Sequence, residues 1–346
     1  LHERMVMSAG LNLSDGGGIV RLTRRVLFGT FIIEGTGAVL LSCRFVPHYG
    51  FPKGITMGVF HAVSAFCNAG FDLMGTPDDP FQSLIGWAED PLVNITVMAL
   101  IVLGGLGFFV WSDVWDKHSF CRLRLHTKIV LTATAGLLLF GFGWTLLFEW
   151  SNPATLGAFD TPHKLLAAAF ESVTLRTAGF NTIDLGALTG PSQAVSCLLM
   201  FIGGSPGSTA GGIKTVTAAV LVLTAISAFC GRTTVSAFGR TIAPRSIMNA
   251  VTLLMAGGVL CLVGACAIAG IGDAPFHQCL FEAVSAFGTV GVSMGLTPTL
   301  AAASRVILIV MMYMGRVGVL TLGVAVFMRR REPPRLKYPD ADVFIG

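Results

Sequence analysis

Apolar and polar positions fall along the chain in blocks. Runs long enough to cross about 30 Å of hydrocarbon occupy 26–46, 92–112, 127–148, 247–270 and 304–328. A sixth, over about 192–229, is interrupted by GGSPGSTAGGIKT at 203–215. Between these lie apolar stretches too short to cross, at 56–66, 162–175 and 276–287, each followed by a polar turn that contains glycine. The pattern predicts an all-α integral membrane protein in which a long, a short and a long helix recur three times.

The short pieces resemble one another. They read FHAVSAFCNAGF from Phe60, FESVTLRTAGFN from Phe170 and FEAVSAFGTVGVS from Phe281. Each reaches a glycine nine or ten residues on, at Gly70, Gly179 and Gly291, and these are 109 and 112 residues apart. A period that constant marks an internal repeat. The expected organisation is a linker at 1–25, repeats at 26–116, 117–231 and 232–331, and a tail at 332–346.

Composition strengthens the membrane reading. The chain is 53% hydrophobic and 12% charged, with a mean hydropathy of +0.74, and a soluble domain carries roughly twice that charge. The net charge of +4 does not point to nucleic acid, because 16 of the 23 Lys and Arg residues sit in the N-terminal tail, the 117–128 and 232–245 loops and the C-terminal tail. These places alternate with the spans, so they are expected to be cytoplasmic. The short helices and their turns then open to the outside, with Asp72, Asp78, Asp79, Glu89, Asp90, Asp160, Asp184 and Asp273 as a solvated, weakly cation-attracting face. The eight cysteines form no CxxC pair and read as small core residues. Seven scattered histidines give no catalytic or metal-ligating constellation. The opening LHERMVMSAGLNLSDGGG has no signal-peptide pattern and reads as a linker entered in mid-protein.

A half-helix that stops inside a membrane and returns as extended chain leaves its carbonyls without partners, which lipid does not tolerate but a water-filled path does. There the carbonyls replace a cation's hydration shell, and glycine supplies backbone angles that other residues avoid. CNAGF (Cys67, Asn68, Ala69, Gly70), TAGFN (Thr177, Ala178, Gly179, Phe180) and TVGVS (Thr289, Val290, Gly291) therefore read as quarters of a cation-selectivity filter. Three quarters do not close a ring, so a fourth unit is expected upstream of Leu1.

The stretch at 203–215 fails as a phosphate-binding loop: counted from Gly207, the lysine comes one place late, as Lys214, and the flanking runs are membrane helix. Pro206 and five glycines cannot sustain a helix, so the stretch is a break whose backbone faces a cavity or other protein.

SAFCNAGF, TLRTAGFNT, MFIGGSPGSTAGGIKT, FEAVSAFGTVG and MGRVGVLTL, in that order over nearly the whole chain, resemble the Trk/Ktr/HKT superfamily of potassium transporters, and most of all its bacterial KtrB-type (TrkH-like) membrane subunits. On that resemblance the three repeats are the second, third and fourth of four. The resemblance implies that Gly203, Gly204, Ser205, Pro206, Gly207, Ser208, Thr209, Ala210, Gly211, Gly212 and Lys214 belong to an intramembrane gate below the filter. It also implies that Arg316 faces the permeation path and interacts with that gate. Potassium is the implied ion, with sodium as a second candidate. The implied assembly is a homodimer in the bacterial plasma membrane, controlled by a cytosolic KtrA- or TrkA-type nucleotide-binding subunit; no cofactor is expected in this chain. The alternative is a secondary transporter with discontinuous helices. The short helices argue against it, since all three enter from the same side.

Overall fold

A computed structural model of the chain describes residues 16–76 and 81–318. Among them are eleven α-helices. The first group is α1 (Gly16–Tyr49), α2 (Phe51–Phe66), α3 (Pro91–Leu106) and α4 (Phe108–Lys117). The second is α5 (Leu125–Glu149), α6 (Thr161–Thr174), α7 (Gly190–Phe201) and α8 (Thr215–Phe229). The third is α9 (Pro244–Ile271), α10 (Phe276–Gly288) and α11 (Ala302–Val317). A two-stranded antiparallel hairpin, β1 (Ser236–Ala237) and β2 (Arg240–Thr241), lies between α8 and α9. Five helices, α2, α3, α6, α7 and α9, carry proline in their first turn, where its missing N–H leaves no hydrogen bond unmade and its φ is preset.

α1 from Thr23, α5 and α9 are long and apolar enough to cross a bilayer. They present large apolar side chains outward, such as Phe31, Leu139 and Val263, as a lipid-facing helix does. α1 and α2 pack backbone to backbone. A Cβ on Gly54 would lie 2.5 Å from the Val46 Cα, and one on Gly58 would lie 2.8 Å from the Ser42 nitrogen. Small residues four apart permit that approach. The short helix α6 joins two cores: Phe170 and Val173 pack with α1, α2 and α3, while Ala167, Ala168 and Leu175 pack with α7, α9, α10 and α11.

Four expectations change. The run 92–112 is not one straight span: α3 and α4 meet at 91° across Gly107 (φ +90). Apolarity is continuous through LGGLGF, but three glycines at 104, 105 and 107 lower the cost of leaving the helix, and the turn's backbone finds partners elsewhere. The last span is not one unbroken helix, since α11 closes at Gly318 (φ +91); 319–346, with the basic tail, lie outside the described residues, as do 1–15 and Asp78 and Asp79. Residues 16–25 belong to α1 and not to a linker. Only Cys261 and Cys279 are buried core cysteines; Cys43, Cys121, Cys230 and Cys266 are exposed on helices or loops.

The acidic residues are not simply solvated. Asp90 caps α3, accepting from the Leu92 and Val93 amides at 3.0 and 3.2 Å, and receives Arg44 Nε at 2.6 Å. Asp160 pairs with His163 one turn into α6. On the opposite side, Asp113 of α4 receives Lys117 Nζ at 2.8 Å and the Thr127 hydroxyl at 2.7 Å, fixing α4 to the start of α5.

Candidate functional site

The C-terminal ends of α2, α6 and α10 converge, and the chain after each takes the same course. The residue two before each filter glycine is left-handed: Asn68 (φ +49), Thr177 (φ +72) and Thr289 (φ +52). Gly70 (φ +70), Gly179 (φ +98) and Gly291 (φ +92) are left-handed too, the region that costs other residues about 1–2 kcal/mol. The amide between the two turns back to its half-helix: Ala69 N to Ser64 O at 2.9 Å, Ala178 N to Thr174 O at 3.0 Å, and Val290 N to Ser285 O at 2.9 Å.

The three segments lie edge to edge. A Cβ on Gly70 would sit 2.8 Å from the Gly179 Cα and would meet the Ala178 carbonyl. One on Gly179 would meet the Val290 carbonyl and sit 3.1 Å from the Gly70 Cα, and one on Gly291 would sit 4.0 Å from the Gly179 Cα. The order around the site is thus first, second, third. The side between first and third is open: Gly291 is exposed, and one face of α2 (Ile55, Val59, Phe60, Val63) borders a groove of about 590 Å³.

A device the sequence reading passed over recurs in all three segments. The Ser64 hydroxyl donates to the Phe71 carbonyl at 2.7 Å, that of Thr174 to the Phe180 carbonyl, and that of Ser285 to the Val292 carbonyl at 2.6 Å. Each carbonyl follows a filter glycine, so each hydroxyl holds the outgoing chain against its half-helix. A second tie lies one turn earlier. Glu282 accepts from the Met294 amide at 3.1 Å and the Thr297 hydroxyl at 2.6 Å. His61, at the same place in the first segment, takes the Leu73 amide on Nε2 at 3.3 Å while Nδ1 faces the Met57 carbonyl at 2.7 Å. Glu171 holds the middle position, buried, with neither carboxylate oxygen partnered in the protein. Shared hydroxyls in SAF, TLR and SAF were the available signal, hidden because Ser and Thr in an apolar helix also read as packing residues.

Ser285→Ala removes one tie and leaves the Val292 carbonyl without it. A neutral hydrogen bond contributes about 0.5–1.5 kcal/mol, so the detergent-solubilised protein should melt about 2 °C lower. Ser285→Thr should melt like the parent. Equal melting of the alanine and parent proteins would show that the hydroxyl holds nothing.

The broken stretch 203–215 runs directly beneath these segments. A Cβ on Gly203 would lie 3.1 Å from Thr177 Cγ2, and one on Gly211 would lie 2.9 Å from Thr289 Cγ2. The Thr209 hydroxyl donates to the Phe66 carbonyl, at the end of α2, at 3.1 Å. Its ends are closed on themselves, with Gly203 N on Ile213 O at 2.8 Å and Thr215 N on Gly204 O at 3.0 Å. Its middle rests on the α3–α4 bend: Ser205 N on Gly105 O at 3.0 Å, Phe108 N on Gly207 O at 3.0 Å and Thr209 N on Gly104 O at 3.4 Å. These are the partners that the bend at Gly107 needs. Pro206, Ser208 and Gly212 are half-buried, and Ala210 is buried. Lys214 Nζ reaches back to the Ala210 carbonyl at 2.6 Å.

Cys67, at the end of α2, lies against Glu34 of α1, Sγ to Oε1 at 3.9 Å. Arg316 is in the last turn of α11 and exposed. Glu149 is fully engaged, holding Thr189, Thr155 and Asn152. Among the described residues no cluster of His, Cys, Asp and Glu could hold a metal ion.

Residues 11–332 match the family model described as TrkH, cation transport protein. The chain is 38% identical to the potassium/sodium uptake protein NtpJ of Enterococcus hirae over 99% of its length and 76% of that protein's. It is 39% identical to the Ktr system potassium uptake protein B of Bacillus subtilis over 100% and 76% of the two chains. The crystal structure of the potassium transporter TrkH from Vibrio parahaemolyticus superposes with a TM-score of 0.68 at 17% identity, over 89% of this chain and 64% of that one.

Proposed function

Because the chain belongs to the TrkH family of cation transport proteins, membrane transporters and not enzymes, we propose that it carries potassium across the bacterial plasma membrane through a filter built from Cys67–Gly70, Thr177–Phe180 and Thr289–Gly291. The convergence of Gly70, Gly179 and Gly291, each left-handed and each edge to edge with the next, carries this reading. Amides turned to the half-helices leave carbonyls to face a cation. α2, α6 and α10 all end at the site, so the negative ends of three helix dipoles favour positive charge there.

The repeats at 26–116, 117–231 and 232–331 are the units of this pathway, and a fourth strand of the same kind fits the open side between Gly70 and Gly291. The segment 203–215 is its gate, with Arg316 and Lys214 as fixed charges that oppose cations when the loop is in place. The relatives' names carry both potassium and sodium, and a single glycine per strand is a short filter, so sodium is the competing ion. A homodimer under the control of a cytosolic KtrA- or TrkA-type nucleotide-binding subunit completes the proposal.

Radioactive rubidium uptake by potassium-starved cells lacking their own uptake systems tests it, with and without a co-expressed KtrA-type subunit. Uptake should saturate, rise with the subunit and be displaced by potassium at concentrations where sodium has little effect. A membrane-inserted protein that takes up no rubidium with the subunit present would sink the proposal.

A further inference from the structure

Arg176 sits between the last turn of α6 and the filter residue Thr177, and it is buried. Its Nη2 donates to the Gly203 carbonyl at 2.8 Å and to the Thr215 hydroxyl at 3.0 Å. Thr215 Oγ1 in turn donates to the Gly203 carbonyl at 3.1 Å. Gly203 opens the intramembrane loop and Thr215 begins the helix that follows it, so one guanidinium closes both ends. No carboxylate pairs with it among the described residues, and its Nε and Nη1 have no protein partner. An arginine is always charged, and an unpaired buried charge is costly. Beside a cation path it also repels what passes. A neutral side chain would be cheaper if filling space were the only task.

We propose that Arg176 is a positioning residue that fixes both ends of the intramembrane loop to the second filter strand, confining the loop's movement to its middle and making its position felt at Gly179. The bonding divides the loop in this way. Gly203, Gly204, Ile213 and Thr215 are tied to one another and to Arg176, whereas Gly207 and Thr209 are tied across to the α3–α4 bend and α2, Ser205 to the bend and to Ser208, and Ala210 to the Lys214 ammonium. Filter and loop ends then form one rigid piece, and 205–212 is the part that swings. The unused donors on Nε and Nη1 let the guanidinium keep hold of the loop's carbonyls as that part shifts.

The inference rests on the pathway reading above, and its test separates the two. Arg176→Gln, Arg176→Lys, Thr215→Val and the double variant Arg176→Gln/Thr215→Val are made in the full-length protein. Rubidium uptake per inserted molecule, its dependence on the cytosolic subunit and its competition by sodium are measured for each. Arg176→Gln should raise subunit-independent uptake and lower rubidium-over-sodium preference, each by about fivefold or more. Arg176→Lys should recover part of both, and Thr215→Val should move both the same way by less. The double variant should be no worse than Arg176→Gln alone, because both substitutions break one clasp. Unchanged preference and unchanged regulation in Arg176→Gln would overturn the inference, as would additive effects in the double variant. If Arg176→Gln fails to reach the membrane, Thr215→Val decides, and a parental result there overturns it. A Gly179→Ser variant run in parallel reports on the filter itself: if it alters preference while the Arg176 set does not, the clasp is wrong and the pathway reading stands.

Discussion

Gly179→Ser is expected to reach the membrane and to lose about tenfold or more of its preference for rubidium over sodium, an energy of about 1.4 kcal/mol. Two terms supply it. At φ +98 a serine bears the left-handed penalty of about 1–2 kcal/mol. Its Cβ also presses on the Val290 carbonyl and the Gly70 Cα, which belong to the two neighbouring strands. The substitution therefore deforms three strands at once, and the carbonyl spacing that suits the larger ion is lost first. Gly291→Ser should do less, since a Cβ there comes no nearer than 4.0 Å to the Gly179 Cα and the position is exposed. Sodium competition against rubidium uptake, normalised to inserted protein, measures both; parental discrimination in Gly179→Ser would remove the filter assignment.

Deleting Gly207–Gly211 is expected to raise the maximal uptake rate by about tenfold and to abolish its dependence on the cytosolic subunit. The segment passes beneath the first and third strands, touching Phe66 through Thr209 and Thr289 through Gly211. It is held to the α3–α4 bend by backbone hydrogen bonds worth about 0.5–1.5 kcal/mol each. A few such bonds make a barrier that a conformational change in a partner can overcome, and shortening the segment removes it outright. The half-saturating rubidium concentration should change little, because the filter above is intact. A deletion variant with parental rate and parental regulation would reduce the segment to a static break in a helix.

Much of this architecture was legible. Three short apolar stretches ending at glycines 109 and 112 residues apart located the site, because a half-helix and its return need glycine at one register. The interruption at 203–215 was legible because proline and glycine there outweigh the apolar flanks. The bend at Gly107 was not. Hydropathy weighs side chains, LGGLGF is apolar throughout, and the bend depends on backbone partners in another broken helix. Arg176 was not legible within TLRTAGFN, since nothing local shows that its guanidinium reaches Gly203 and Thr215. The hydroxyls of Ser64, Thr174 and Ser285 escaped for a related reason: their acceptors exist only once the chain has turned left-handed.

The mutual support of the two broken helices also bears on how the chain is assembled. Gly105 and Phe108 are synthesised about a hundred residues before Ser205 and Gly207, to which they bond. Until those residues enter the membrane, the amide of Phe108 and the carbonyls of Gly104 and Gly105 have no such partner, and hydrocarbon penalises each one left open. A nascent α3–α4 is therefore expected to insert as a single straight helix, which pairs every backbone group within itself. The bend at Gly107 is expected to form when the later segment arrives to take its hydrogen bonds. On that order of events the early span is a provisional form, completed by a segment about a hundred residues later in the chain.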